Sequence, residues 1–277
     1  MLWEAITELL SRARVRVGDV ASIVGLLVWL FLVRRPLLSI FHSIFAFARR
    51  PASLVTLWWP SARTELRAAR DLLPLIFMDL RWRFLNCVIC QDAQGPSRHS
   101  PGGVGLNFAV LPPEEIFSVG MSSEPGGRAK VAAETIHGGV PAEGKAPAPV
   151  FLESWKTAKW HDLLAVSWRH REHINVGEMR GILLWLEFLS RVPAVFGSRV
   201  LCLTDSGVAC GAAAKGRSPS WRLNGLLRRR MALEVACNIS LVIGWVSSHL
   251  MPSDFLSRHR HVRGLMVGIR NAARFFE

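Results

Sequence analysis

The chain has 277 residues, of which 50% are apolar and 20% are charged, so it can bury one large hydrophobic core or two smaller ones. This composition excludes wholesale disorder and the collagen, coiled-coil and disulfide-scaffold classes. The formal charge of +13, from 34 basic and 21 acidic side chains, indicates a polyanionic partner such as nucleic acid or an anionic membrane surface.

The five cysteines are an odd number in a chain without a secretory signal, which argues against a disulfide framework. We therefore expect an intracellular protein, in the nucleus or the cytoplasm, that is not secreted. Cys87 and Cys90 form a CxxC, but no second cysteine pair or nearby histidine cluster completes a zinc set. The pair lies in a β-prone run, so we expect a strand there and no metal.

Residues 1–80 carry apolar side chains at intervals of three and four, which predicts a small all-helical unit. Val20–Val33 is uncharged over fourteen residues, fewer than the roughly twenty that cross a bilayer. Arg34 and Arg35 follow it, which favours buried helices over a membrane span. The alternative is a membrane-associated basic protein whose Val20–Ala48 hairpin inserts into the bilayer.

Strands alternate with helices in the second half of the chain, which favours parallel pairing, whereas two adjacent strand-like runs after residue 84 favour a hairpin. Together these patterns predict an α/β fold with a mixed sheet flanked by helices. Residues 120–150 contain ten glycines and prolines and predict a long irregular loop. The other predicted elements are strands at 85–90 and 102–111, a short strand near 155–168, a helix at 175–189, a strand at 200–204, helices at 206–214 and 220–236, a strand at 239–246 and a helical turn from 254.

Four carboxylates stand at informative places in this pattern. Asp92 comes directly after a predicted strand, Glu178 lies in the first turn of a helix, Asp205 ends a strand and Asp254 precedes the last helix. The carboxyl ends of neighbouring parallel strands meet at one crevice, so Asp92 and Asp205 are placed to meet. Crowded carboxylates need divalent cations to stay ionised, and their hard oxygen atoms favour magnesium or manganese.

Helix capping offers a structural alternative for three of these residues. Asn175 and Glu178 have the spacing of a capping box, and Asp205 with Ser206 and Ser253 with Asp254 each occupy N-cap positions. Four acids in this order and context favour the metal site over accidental capping.

Four segments of the chain resemble the successive motifs of the ribonuclease H domain of retroelement polyproteins, in order and in strand-helix context. They read CQDAQGPSRHSPGGVGLNFAV, HINVGEMRGILLWLEFLS, LCLTDSGVACGAAAKGRS and GWVSSHLMPSDFLSR. The resemblance implies a ribonuclease H-like domain over 85–265, with a five-stranded mixed sheet whose first three strands are antiparallel and with the glycine- and proline-rich insertion near 120–150.

The resemblance also implies the roles of individual residues. Asp92, Glu178, Asp205 and Asp254 would bind two Mg²⁺ or Mn²⁺ ions, and His249 would assist product release or protonate the leaving group. The implied activity is endonucleolytic cleavage of the RNA strand of RNA/DNA hybrids. One departure concerns Met251, which stands where the retroelement motif usually carries asparagine.

The helical region 1–80 is similar to the thumb or connection region that precedes this domain in reverse transcriptases. The chain has no tyrosine and hence no YxDD motif, so the polymerase palm is missing and a separate polymerase chain is a candidate partner. We therefore interpret the chain as the C-terminal piece of a retroelement polyprotein. A catalytically inactive nucleic-acid-binding relic of the same fold is the alternative.

Basic side chains near the third motif suggest contacts to the phosphate backbone of the hybrid. From Ser206 onwards the sequence has 11 basic and 3 acidic residues. Such contacts position a duplex without reading its sequence. The candidate contact residues are Lys215, Arg217, Arg222 and Arg228.

Overall fold

The structure is a computed structural model that describes residues 1–121, 123–124, 128–131, 153–155 and 157–258. Backbone contacts divide the chain into two compact units. The first, called the helical unit below, contains residues 1–80 and 215–231. The second, called the sheet unit, contains residues 81–214 and those from 232 onwards.

The helical unit is built mainly from short helices, but it is not all-helical as predicted. Two three-residue strands pair in antiparallel fashion, with Arg14 opposite Leu57. The first strand buries Val15 between two exposed arginines, an alternation too short to be recognised in the sequence. Its elements are α1 (Leu2–Ser11), β1 (Arg14–Arg16), α2 (Val17–Phe31), a 3-10 helix (Leu32–Ile40), α3 (Ser43–Ala48), β2 (Val55–Leu57), α4 (Pro60–Leu72) and a 3-10 turn (Leu73–Leu75).

The apolar run Val20–Val33 forms most of helix α2 and is interrupted near the predicted break at Arg34. Helix α2 stops at Phe31, and Arg34 within the following 3-10 segment has non-helical backbone angles. Among the described residues, one helical segment, Val17–Ile40, has the length and the apolar composition that would allow it to cross a membrane. Val20, Val24 and Leu27 nevertheless bury one side of α2 inside the unit.

The sheet unit follows the predicted alternation of strands and helices closely. Helix α5 was not predicted, and helix α8 begins within the helical unit and ends in the sheet unit. The elements are β3 (Phe84–Gln94), β4 (Gly103–Val110), α5 (Pro113–Met121), β5 (Ser123–Glu124), β6 (Arg128–Val131), a 3-10 turn (Glu153–Trp155), β7 (Trp160–Ser167), α6 (Ile174–Leu189), a 3-10 turn (Pro193–Val195), β8 (Arg199–Thr204), α7 (Gly207–Lys215), α8 (Trp221–Ala236), β9 (Ser240–Val246), a 3-10 turn (Ser248–Leu250) and α9 (Asp254–Arg258).

The central strands form the mixed sheet that the ribonuclease H resemblance implies. The order along the sheet is β5-β6-β9-β8-β3-β4-β7. Strand β4 lies between β3 and β7 and pairs in antiparallel fashion with both, while β8 pairs in parallel with both β3 and β9. The predicted fold class, an α/β mixed sheet flanked by helices, is therefore confirmed.

Two short strands extend this sheet beyond the five expected ones. Strand β6 adds in parallel to β9, and β5 pairs with β6. Both lie in the stretch predicted as an irregular loop, so that prediction was wrong for them. Strands of two and four residues between glycines and prolines are too short to show a period-two pattern. Residues 122, 125–127 and 132–150 of the predicted loop lie outside the described residues.

Candidate metal centre

Strand β3 and strand β8 bring two of the candidate carboxylates to the same level of the sheet. The strands are parallel neighbours with Cys90 opposite Leu203, and Asp92 and Asp205 each lie two residues further along. Asp92 was predicted directly after its strand, but β3 continues to Gln94 because Asp92 itself pairs with Gly105 of β4. The expected convergence of the two residues holds even though the predicted strand end was wrong.

Helix α6 supplies Glu178 from the layer above the sheet. Glu178 is buried, its Oε1 accepts a hydrogen bond of 3.2 Å from the Ala93 amide, and its Oε2 accepts one of 3.0 Å from Gln91 Nε2. The capping-box alternative is wrong, because α6 begins at Ile174 and His173 is its cap. Helix α6 lies close enough to β3 that a side chain at Gly181 would overlap the Gln91 amide.

Asp205 occupies the loop between β8 and α7. Its neighbour Ser206 takes the capping role, since the Ser206 hydroxyl accepts a hydrogen bond of 3.2 Å from the Ala209 amide. The Asp205 carboxylate is thereby left for other contacts, and Ser248 Oγ donates to its Oδ2 over 2.6 Å. Ser248 belongs to the turn after β9, so two loops meet at Asp205.

These elements assemble three carboxylates into one cluster, named here the carboxylate cluster: Asp92, Glu178 and Asp205. One oxygen atom of each lies within 4.8 Å of the others. Asp92 and Glu178 are 5% and 4% exposed, so water can compensate their charges only weakly. The cluster was predicted with four members, and Asp254 lies outside this 4.8 Å group.

The electrostatics of the cluster favour a cation. Burial, together with the charges of Asp92 and Asp205, raises the pKa of Glu178 to about 8. Burial raises the pKa of Asp92 to about 6, with a smaller contribution from Asp205 and an opposing hydrogen bond from Ser257. The cluster offers three hard oxygen donors, and burial and neighbouring charge oppose the ionisation of Asp92 and Glu178. Such a donor set fits a divalent magnesium or manganese ion.

The fourth predicted carboxylate lies at the edge of the cluster. Asp254 begins α9, and its Oδ1 accepts hydrogen bonds of 3.0 and 2.6 Å from Nε and Nη2 of Arg258. It is close enough to Asp92 that its charge raises the Asp92 pKa. Since α9 begins at Asp254, the N-cap position predicted for this pair falls on Ser253, and Asp254 itself does not cap the helix.

The turn that follows β9 holds two further predicted positions. His249 is exposed in the 3-10 turn Ser248–Leu250, directly after the residue that donates to Asp205. Met251, in place of the family's asparagine, is 5% exposed and packs in the core under the sheet. The substitution therefore replaces a polar residue with a core side chain.

The candidate nucleic-acid contacts all belong to the helical unit. Lys215, Arg217 and Arg222 are exposed. Arg228 is different, because its guanidinium donates to the carbonyl oxygens of Ser39 and Ile40 and forms a 3.1 Å ion pair with Glu65. Its guanidinium is therefore engaged in contacts within the helical unit, unlike a group free to bind phosphate, and the prediction of Arg228 as a nucleic-acid contact is corrected.

Sequence reasoning missed the residues that support the carboxylates. The Asp254–Arg258 pair has helical i,i+4 spacing and could have been read from the sequence. The contacts of Gln91, Ser248 and Ser257 join segments far apart in the chain, and no local pattern reveals them.

Comparison with known proteins adds one structural likeness. The sequence matches no protein-family model and no curated protein. The chain is similar to the N-terminal RNase H domain of Rv2228c from Mycobacterium tuberculosis, solved as a fusion with maltose binding protein, at 17% identity and a TM-score of 0.33. That match covers 61% of this chain and 95% of the other. At this score the likeness carries no weight of its own, and the sheet order and carboxylate geometry stand independently of it.

Proposed function

We propose that the chain is a metal-dependent endonuclease that cleaves the RNA strand of RNA/DNA hybrids. The observation that carries the proposal is the carboxylate cluster, in which oxygen atoms of Asp92, Glu178 and Asp205 lie within 4.8 Å of one another. The cluster lies towards the carboxyl ends of two parallel neighbours of a mixed sheet, the place where open α/β sheets bind ligands.

The residues present fit the divalent ions that ribonuclease H-like enzymes need. Asp92, Glu178 and Asp205 would hold Mg²⁺ or Mn²⁺, with Asp254 joining them from α9. When bound there, a pair of such ions would supply an activated water molecule and charge stabilisation for the leaving 3′ oxygen of the phosphodiester.

Other side chains of this protein would position the metal-binding carboxylates and protonate the leaving oxygen. Gln91 fixes Glu178, and Ser248 fixes Asp205, through the hydrogen bonds of 3.0 and 2.6 Å described above. His249 is exposed beside Ser248, and its imidazole would donate a proton to the leaving oxygen.

Charge supports a nucleic-acid substrate. The helical unit contains sixteen basic and six acidic side chains, so it carries +10 of the formal +13 of the whole chain. Lys215, Arg217 and Arg222 are exposed on this unit and would contact phosphates. Preference for RNA would come from its 2′-hydroxyl groups in the minor groove.

The origin and setting of the enzyme are part of the same proposal. The four motif segments support a retroelement polyprotein as the source, with the helical unit as a thumb- or connection-like region. A separate polymerase chain would then be the partner, and the protein would act inside the cell, in the nucleus or the cytoplasm.

The experiment is cleavage of a labelled RNA/DNA hybrid by the purified full chain in magnesium, manganese or chelator. The full chain is needed because residues 215–231 pack with residues 1–80 in the helical unit. A fragment that starts at residue 80 would lack the residues that this segment contacts. Cuts in the RNA strand that need metal and disappear in Asp205→Asn support the enzyme. Hybrid binding without cuts identifies an inactive relic.

An exposed apolar surface favours a second candidate function, association with an anionic membrane. Helix α2 and the residues after it expose five large apolar side chains, and no acidic residue occurs between Asp19 and Glu65. The backbone at Arg35 runs so close to Gly216 that a Cβ atom on Gly216 would overlap the Arg35 carbonyl oxygen, which places Lys215 and Arg217 beside the residues that follow α2. Exposed apolar side chains with neighbouring cations suit a lipid interface. The exposed side chains are Leu26, Trp29, Leu30, Leu32 and Val33.

Vesicle flotation tests this second candidate. The full chain should float with vesicles that contain phosphatidylserine and stay behind with pure phosphatidylcholine, and Trp29→Ser should weaken the flotation. Absence of flotation with both vesicle types would refute membrane association while leaving the nuclease proposal untouched.

A further inference from the structure

Gly105 on β4 lies directly opposite Asp92 in the antiparallel register of β3 and β4. A Cβ atom at this position would lie 2.5 Å from Leu256 Cβ and 2.7 Å from both the Ser253 carbonyl oxygen and the Ser257 amide nitrogen. The described glycines with positive φ are at other positions, so backbone conformation does not require glycine here. Space requires it, because helix α9 rests directly on the strand.

Helix α9 is anchored at this place by side chains that face inwards. Ser253 and Ser257 are fully buried and Leu256 is 3% exposed. The helix has only five residues, too few to be stable on its own, so its position depends on the surface beneath it. Any group added to Gly105 must lift α9 or push β4 away.

The close approach brings a hydroxyl group to the carboxylate cluster. The Ser257 side chain hydrogen-bonds to the Asp92 carboxylate, and its Oγ also lies 3.0 Å from the Asp254 carbonyl oxygen. A hydroxyl has one proton to donate, so these two acceptors compete for it. When the proton goes to Asp92, it fixes the orientation of that carboxylate at the cluster.

We propose that Gly105 and Ser257 are positioning residues of the carboxylate cluster: Gly105 admits α9 onto β4, and Ser257 then orients the Asp92 carboxylate. The inference rests on the proposed function, since it treats the cluster as a metal site. The packing of α9 on β4 at Gly105 also places Asp254 at the edge of the cluster, because Asp254 is the first residue of α9. Neighbours of this kind typically change metal affinity or activity about 10- to 100-fold when they are removed.

The test compares Gly105→Ala, Ser257→Ala and Ser257→Thr in the full chain. Gly225→Ala is the matched control, because a Cβ there meets nothing within 4 Å. Two quantities are measured: hydrogen exchange of the α9 amides in chelator, and the dissociation constant for Mn²⁺ from calorimetry. A hybrid-cleavage assay on the same samples separates kcat from KM.

The inference predicts that Gly105→Ala speeds α9 exchange by at least about tenfold and weakens Mn²⁺ binding by at least about tenfold. Ser257→Ala should weaken Mn²⁺ binding to a similar degree and lower kcat with little effect on KM, while Ser257→Thr, which keeps the hydroxyl, should stay within about twofold of wild type. Gly225→Ala should change none of these quantities.

Wild-type α9 exchange and Mn²⁺ affinity in Gly105→Ala would overturn the role of Gly105, and equal Mn²⁺ affinity in Ser257→Ala and wild type would overturn that of Ser257. If Gly105→Ala does not fold, the serine pair still decides whether the contact made by α9 positions the Asp92 carboxylate. A wild-type chain that binds Mn²⁺ but does not cut hybrid overturns the proposed function and leaves this inference standing. A wild-type chain that binds no Mn²⁺ overturns both.

Discussion

Gln91 and Glu178 are 87 residues apart in the chain, yet Gln91 Nε2 donates a 3.0 Å hydrogen bond to Glu178 Oε2. The same amide nitrogen lies 2.8 Å from the Thr204 hydroxyl, so one side chain of β3 links α6 to the end of β8. Glu178 is thus held beside Asp92 and Asp205 at a fixed place in the interior. An ionised carboxylate there is costly unless a cation balances it.

This cost makes the metal-free protein sensitive to pH. An acid whose pKa is higher in the folded than in the unfolded state stabilises the fold while it is protonated, and that contribution is lost as the pH rises through the folded pKa. The stabilisation is lost between the ordinary pKa and the folded-state pKa of each group: from pH 3.8 to about 6 for Asp92, and from pH 4.5 to about 8 for Glu178. We expect the free energy of unfolding in chelator to fall by on the order of a few kcal/mol between pH 5 and pH 8.

Urea unfolding of the full chain at these pH values measures the effect, and Glu178→Gln isolates its source. The neutral amide cannot ionise, so the variant should be more stable than wild type at pH 8 in chelator and should lose part of the pH dependence. Identical pH dependence in the two proteins would show that Glu178 does not carry an elevated pKa.

A bound divalent metal should offset the free-energy cost of burying the ionised carboxylates of Asp92 and Glu178. At pH 8, Mn²⁺ should raise the melting temperature of the wild-type chain, because a ligand that binds the folded state stabilises it by mass action. Asp205→Asn removes one ligand and should show a much smaller increase. Thermal melts with and without Mn²⁺ provide the measurement, and equal increases in both proteins would place the metal somewhere else.

His249 should affect turnover without affecting the fold. It is exposed in the turn after β9, so His249→Ala should leave the melting temperature and Mn²⁺ affinity unchanged. Loss of a group that transfers a proton typically slows a reaction by about a hundredfold or more, and kcat for hybrid cleavage should fall accordingly. An unchanged kcat would remove His249 from the proposed mechanism.

Glu65 should contribute strongly to the stability of the helical unit. Glu65 is buried, and its carboxylate accepts hydrogen bonds of 2.8, 3.0 and 2.9 Å from the amides of His42, Ser43 and Ile44, besides its ion pair with Arg228. Glu65→Ala leaves these donors without their acceptor and should lower the free energy of unfolding by about 2–3 kcal/mol. Urea unfolding should place Glu65→Gln, which retains one acceptor oxygen, between Glu65→Ala and wild type, and a negligible loss in Glu65→Ala would contradict this structural role.

The sequence predicted the sheet well because its signals there are strong and local. The β-prone run at 85–90 and the alternation of strands and helices after residue 175 lie within β3, α6, β8 and β9. The convergence of Asp92 and Asp205 followed from the geometry of parallel neighbours. What escaped prediction depends on contacts between distant segments. Examples are the ladder that extends β3 past Asp92, the strands β5 and β6, and the close packing of α9 on Gly105.

The helical unit shows the same limit. Its helices follow from apolar spacing, but the pairing of β1 with β2 and the inclusion of residues 215–231 do not appear in any local pattern. Arg228 illustrates the consequence. In the sequence it belongs to a basic run typical of phosphate contacts, whereas in the structure it donates to Ser39 and Ile40.

The most direct measurement of the central claim is cleavage of a labelled RNA/DNA hybrid by the full chain, with Asp92→Asn and Asp205→Asn beside wild type. We predict cuts in the RNA strand that require Mg²⁺ or Mn²⁺, vanish in chelator and are lost in both variants while hybrid binding persists. Full activity in either variant would contradict the assignment of the site, and a folded wild-type chain that binds hybrid without cutting it would contradict the enzyme itself.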